Sequence, residues 1–85
     1  MTEVEMYAAD WCGYCLRARR LLDEKGVGYS YIDVDEVPGA RKEMMARGGG
    51  VTIPQIFFDG RPIGGCDELH ALERMGELDT LLGLA

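Results

Sequence analysis

Two cysteines separated by two residues, in Trp11-Cys12-Gly13-Tyr14-Cys15, are the side chains of this chain best suited to chemistry. They stand just before an amphipathic pattern running from Leu16 to Lys25, which places them on one turn at the start of a helix. Cysteines three apart in that setting meet the Cα separation of about 4.4–6.8 Å that a disulfide needs, so the pair can open and close reversibly. A helix N-terminus carries about half a positive charge and favours a thiolate at the first cysteine. Cys12 is therefore the expected nucleophile. Cys15 shares a helix side with Ala18 and Leu22 and is expected to be buried, protonated and the resolving thiol.

The elements that must position this pair follow from periodicity. Val4, Met6 and Ala8 alternate with Glu3, Glu5 and Tyr7, a first strand that ends at Ala9-Asp10. Cys15, Ala18, Leu21 and Leu22 recur at helical spacing, and Gly26 supplies a left-handed stop. Residues 29–34 are rich in aromatic and β-branched types and form a second strand, parallel to the first because a helical crossover joins them. A second helix starts at Val37-Pro38-Gly39, with Ala40, Met44 and Met45 inward, and Gly48-Gly49-Gly50 ends it. Residues 55–59 and 61–63 are strands joined by a tight turn at Gly60, the second at a sheet edge because Pro62 cannot donate to a ladder. A helix with Leu69, Leu72 and Met75 inward breaks at Gly76, and a last turn or two carries Leu78, Leu81 and Leu82. The order βαβ-α-ββ-α makes a four-stranded mixed sheet with helices on both faces.

Eighty-five residues make one domain, residues 1–85. No window approaches the roughly 18 uninterrupted apolar residues of a membrane span, and residues 1–10 lack the basic start of a secretory signal, so a cytoplasmic address is expected. A net charge of −6 argues against nucleic-acid or anionic-membrane partners. Three cysteines are too few for a disulfide scaffold, and the leftover one is Cys66. The basic residues between Arg17 and Arg47 read mainly as solvated helix faces with neighbours such as Glu24 and Glu43.

Three motifs in fixed order complete the picture: Cys12-Gly13-Tyr14-Cys15, Thr52-Ile53-Pro54 and Gly64-Gly65-Cys66-Asp67-Glu68. With them the whole chain resembles the small bacterial dithiol glutaredoxins of the glutaredoxin 3 type, minimal members of the thioredoxin fold. The resemblance implies a glutathione-dependent thiol–disulfide oxidoreductase. Its substrates would be protein–glutathione mixed disulfides and protein disulfides such as that of ribonucleotide reductase, with glutathione as co-substrate, no tightly bound cofactor and a monomeric chain. It implies a cis bond before Pro54, where base rates alone favour trans. Ile53 would then pair with the cysteinyl part of glutathione, beside Thr52. The Cys66 N–H, after Gly65, would bind the γ-glutamyl carboxylate and Asp67 its ammonium. Arg47 matches a basic position of the family's loop and is a candidate for the glycyl carboxylate, a solvated helix end being the plainer reading. Tyr14 is either a half-buried aromatic on the sheet edge or part of the glutathione groove. Trp11 is expected as an apolar shield beside Cys12, and the Cys66 thiol as a peripheral group prone to glutathionylation.

The sequence departs from the family pattern at Ala9, where many members carry lysine, and at Gly13, where proline is common. Loosened motifs of this kind in relatives hold a [2Fe-2S] cluster between two protomers through the first cysteine, here Cys12, and glutathione. That cluster-binding dimer is the alternative function. A zinc site from Cys12, Cys15, Cys66 and His70 has the ligand count, but Cys15 runs straight into an amphipathic helix where zinc knuckles are tight turns. His70 is then an exposed helix residue. A glutaredoxin-like redoxin served by thioredoxin reductase is a further relative, against which residues 64–67 speak for glutathione.

Overall fold

The structure, a computed structural model, describes residues 1–85. Its elements are β1 (Val4–Ala8), α1 (Gly13–Glu24), β2 (Ser30–Asp33), α2 (Ala40–Ala46), β3 (Gln55–Phe58), β4 (Arg61–Gly64), α3 (Cys66–Arg74) and α4 (Leu78–Leu81). The sheet order is β2-β1-β3-β4. β1 pairs parallel with β2 and antiparallel with β3, and β3 pairs antiparallel with β4. This is the thioredoxin-like four-stranded mixed sheet, in the element order that the residue pattern implies.

Helices cover both faces, and the core is split accordingly. Val4, Met6 and Ala8 face Cys15, Ala18 and Leu22 of α1, Leu69 of α3 and Leu78 of α4. On the other face, Tyr7, Ala9 and Phe57 pack with Ala40 and Met44 of α2. Alternation along β1 therefore sorts residues between two buried faces rather than between core and water. Tyr7, on the polar side of the sequence pattern, is fully buried for that reason.

Helix boundaries follow local chemistry. Gly26 (φ +72°) ends α1 with the paired bonds of a left-handed cap, Gly26 N–H to the Asp23 carbonyl and Val27 N–H to that of Leu22. The same arrangement at Gly76 ends α3. Asp59 and Gly60, both at positive φ, make the tight turn between β3 and β4. Pro62 lies on the edge strand, beside a register shift at Ile56/Phe57.

Some expectations shift. α2 starts at Ala40, after a left-handed Gly39, because the N–H groups of residues 35–37 are taken up in turns bonded to Asp33. Met45, Met75 and Leu81 point outward. Each adjoins or precedes a glycine-rich break where the helix is too short to carry a full apolar stripe, and Met44, Leu69, Leu78 and Leu82 fill the core instead. No helix is long and apolar enough to cross a membrane.

Candidate active site

Cys12 is the N-cap of α1, with extended backbone at φ −85° and ψ 117°. Its Sγ accepts a hydrogen bond from the Cys15 N–H at 3.3 Å, so one of the helix's unpaired donors is aimed at the sulfur. The residue is 7 % exposed. Cys15 is one turn on, inside the core between β1 and α1. Burial, followed by its hydrogen bond with Cys12, pushes its thiol up to about 12. All three cysteines are free thiols.

The Ile53–Pro54 peptide bond is cis. The Ile53 carbonyl oxygen lies 3.8 Å from Cys12 Sγ, which brings the loop before β3 against the cysteine. Buried Gln55 braces that loop by donating from Nε2 to the Thr52 carbonyl at 2.9 Å. Across from it, α3 begins at Cys66. The first N–H groups of a helix have no intrahelical partners and favour an anion.

A groove of about 380 Å³ opens between these parts. Tyr14, Thr52, Ile53, Pro54, Gly65, Cys66 and Asp67, each singled out in the sequence, all line it, together with Glu68. Cys12 adjoins it through Ile53. Tyr14 is exposed at this rim, with the Arg17 guanidinium 5.9 Å above its ring, so it is a groove wall rather than a half-buried edge aromatic. Gly65 is required by close approach, since a Cβ there would lie 2.9 Å from the Pro54 carbonyl oxygen.

Arg47 stands apart from the groove. Its two terminal nitrogens meet the Glu5 carboxylate at 3.0 and 2.7 Å, one of them also donates to the Tyr7 hydroxyl at 2.8 Å, and its guanidinium sits 4.4 Å from the Phe57 ring centre. The partners are about forty residues away in the chain, so nothing local in the sequence announces them.

Cys66 is buried, at 4 % exposure, and not the peripheral thiol expected alongside the resemblance. Burial pushes its thiol up, and nearby Arg17 offsets part of that. His70 is half-buried, its Nδ1 lying 2.9 Å from the Cys66 carbonyl oxygen and 3.4 Å from Sγ. Glu68, which closes the third motif but takes no role from the sequence, also lines the groove. Its Oε1 accepts the Gly65 N–H at 2.7 Å, one half of a capping box, and a glutamate three residues after a helix start is the signal for it. Trp11 projects into solvent at 72 % exposure and donates from Nε1 to Asp35 Oδ2 at 2.7 Å.

No group of three or more His, Cys, Asp or Glu side chains is arranged to hold a metal ion. Cys12, Cys15, Cys66 and His70 do not converge on a zinc site, and one chain supplies a single groove-side thiol toward a cluster. The donor set does not fit zinc, whereas a cluster shared between two protomers would take no more than that one thiol from each chain.

A nucleophile-placed cysteine over a buried second thiol, on this sheet and beside a cis-proline loop, defines a thiol–disulfide exchange site. Comparison with known proteins gives the same class. The model of the glutaredoxin family matches residues 4–63. The chain is 48% identical over 82 residues to a glutaredoxin of Pseudomonas aeruginosa, covering 96% of this chain and 98% of that one. It is equally similar, at 48% over 82 residues, to glutaredoxin 3 of Escherichia coli K12, covering 96% and 99%. Among solved structures, a buckwheat glutaredoxin–glutathione complex superposes with a TM-score of 0.89 at 29% identity, over 96% of this chain and 77% of that one. The chain belongs to the glutaredoxin family and is a thiol oxidoreductase of that family.

Proposed function

We propose that this protein uses glutathione to reduce protein–glutathione mixed disulfides through Cys12. The observation that carries the reading is the groove beside Cys12, lined by Ile53, Cys66 and Asp67. The Ile53 backbone is suited to pair with the cysteinyl part of glutathione. The start of α3 suits the γ-glutamyl carboxylate, and Asp67 its ammonium. The buckwheat relative, solved as a glutathione complex, supports the same ligand. Arg47 is withdrawn from the glycyl carboxylate, because Glu5 and Tyr7 already occupy its guanidinium.

Cys12 sulfur attacks the glutathione-side sulfur of the substrate disulfide. The Cys12–glutathione bond forms, and the protein thiolate leaves and takes up a proton. A second glutathione thiolate then attacks that glutathione sulfur, releasing glutathione disulfide and restoring Cys12. On a protein disulfide, such as that of ribonucleotide reductase, Cys12 forms a mixed disulfide with one substrate cysteine. Cys15 then gives up its proton and attacks Cys12 Sγ, expelling the substrate thiolate, which takes up a proton. The Cys12–Cys15 disulfide left behind is reduced by two glutathiones, which themselves leave as glutathione disulfide. Both thiols and the groove come from one chain, so a monomer suffices, and free thiols suit the cytoplasm.

The test is turnover of a small glutathione mixed disulfide coupled to glutathione reductase. Wild type and Cys15→Ser are expected to turn over within a few-fold of each other, while Cys12→Ser loses about a hundredfold or more. Full activity in Cys12→Ser would refute the assignment.

A further inference from the structure

A mixed disulfide has two halves, and the groove accounts for only one of them. If glutathione lies along Ile53, Cys66 and Asp67, the protein half has to approach Cys12 from outside that groove. Trp11, the residue immediately before Cys12, is outside it. So are Asp35, in the segment between β2 and α2, and Arg41 in the first turn of α2.

Trp11 is both highly exposed and held in place. Its Nε1 donates to Asp35 Oδ2 at 2.7 Å, and Asp35 Oδ1 takes Arg41 at 3.2 Å. The Asp35 N–H is itself bound to Asp33 Oδ1 at 2.9 Å, so the carboxylate stands on a fixed turn. The Trp11 hydrogen bond, then the Arg41 guanidinium, hold the Asp35 carboxyl below the usual carboxylate range, keeping it an acceptor at neutral pH. With the only polar atom of the indole satisfied internally, Trp11 presents an apolar face to solvent. An aromatic anchor already fixed in orientation loses little entropy on contact, and tryptophan is among the residues most enriched at interface centres.

We propose that Trp11, braced by Asp35 and Arg41, is the docking contact for the protein half of the substrate. It takes an apolar side chain next to the modified cysteine. Small mixed disulfides have no such side chain to offer, so the contact discriminates protein substrates from small ones. This inference rests on the glutathione reading above, and its test can fail separately from it.

Trp11 is the only tryptophan, so its fluorescence reports on this one position. In Cys12→Ser, which lacks the exchanging thiol, a glutathionylated peptide with leucine on both sides of its cysteine is titrated against the protein. The expected result is a saturable change in Trp11 emission, several-fold larger than glutathione disulfide produces. No change up to millimolar peptide overturns the proposal, whatever the outcome for turnover. With reactive protein, the ratio of kcat/KM for the leucine peptide to that for a glutathione–cysteamine disulfide is compared between variants. That ratio is expected to fall about tenfold in Trp11→Thr and about threefold in Asp35→Ala. A ratio within about twofold of wild type in Trp11→Thr also overturns it. If wild type turns over neither substrate, the glutathione reading fails and the emission titration decides docking alone.

Discussion

Cys12 and Cys15 are one helical turn apart and both are buried, yet the fold gives their sulfurs different partners. Cys12 is at the helix start with a backbone donor on its sulfur, whereas Cys15 is at 1 % exposure against Met6 and Ala8. Cys66, the third thiol, is buried too, and burial pushes the Cys15 and Cys66 thiols up. Because the thiolate is the reactive form, only Cys12 should react readily in the folded protein. At pH 8, iodoacetamide should label Cys15 and Cys66 of Cys12→Ser about tenfold or more slower than it labels Cys12 of wild type, read by intact mass. Rapid labelling at Cys15 would contradict the division of roles. At this scale the sequence was readable wherever a motif is contiguous: Tyr14 and residues 52–54 and 65–67 line one groove, with Cys12 beside it. It was silent where a side chain finds its partner far along the chain, as Arg47 does at Glu5 and Trp11 at Asp35.

The elements that frame the groove are fixed by a few such long-range contacts. α2 ends at Arg47, whose guanidinium ties that end to β1 through Glu5 and Tyr7 and to β3 through Phe57. The Tyr7 hydroxyl also donates to Glu43 on the same helix. Arg47→Met keeps the stacking volume but leaves the half-buried Glu5 carboxylate unpaired. It should cost about 1–3 kcal/mol in urea unfolding, and Glu5→Gln in the same protein should recover part of that. Additive losses would mean that the pair is solvated and unimportant. At the other side of the groove, Gly65 lets α3 begin against the Pro54 carbonyl. Gly65→Ala should push the two apart and raise the KM for glutathione about tenfold, with a smaller change in kcat. An unchanged KM would place the ligand elsewhere. The start of α2 was the least legible boundary. Pro38 signals a helix start, but Asp33 captures the following N–H groups and Gly39 turns left-handed first.

For the molecule as a whole, the succession of strands and helices followed from hydrophobic periodicity, but the order of strands in the sheet did not, and a sheet buried on both faces blurs which side of β1 is core. That double burial also sets how stability responds to pH. The Tyr7 hydroxyl is raised first by burial and then by its bond to Glu43. Tyr31 is raised by burial and by its hydrogen bond to Asp10. Cys15 and Cys66 are raised by burial. Lys25 is raised by Asp79 and Glu73, which bind it at 2.8 and 2.7 Å and join the end of α1 to α3 and α4. Unfolded, these thiols lose protons near about 8.5, and the phenols and the lysine near about 10. Folded, all five groups hold their protons to higher pH. Above pH 8.5 the unfolded chain therefore binds fewer protons than the folded one, and stability falls as pH rises. The urea midpoint should decline steadily from pH 8.5 to 10.5 at constant ionic strength. Cys15→Ala removes the largest thiol contribution and should flatten the first part of that decline, between pH 8.5 and 9.5, while leaving the later part governed by the tyrosines and Lys25. A midpoint that holds level across the whole range would mean that these groups titrate in the fold as they do in water, and the two-faced burial of the sheet would then have no electrostatic consequence.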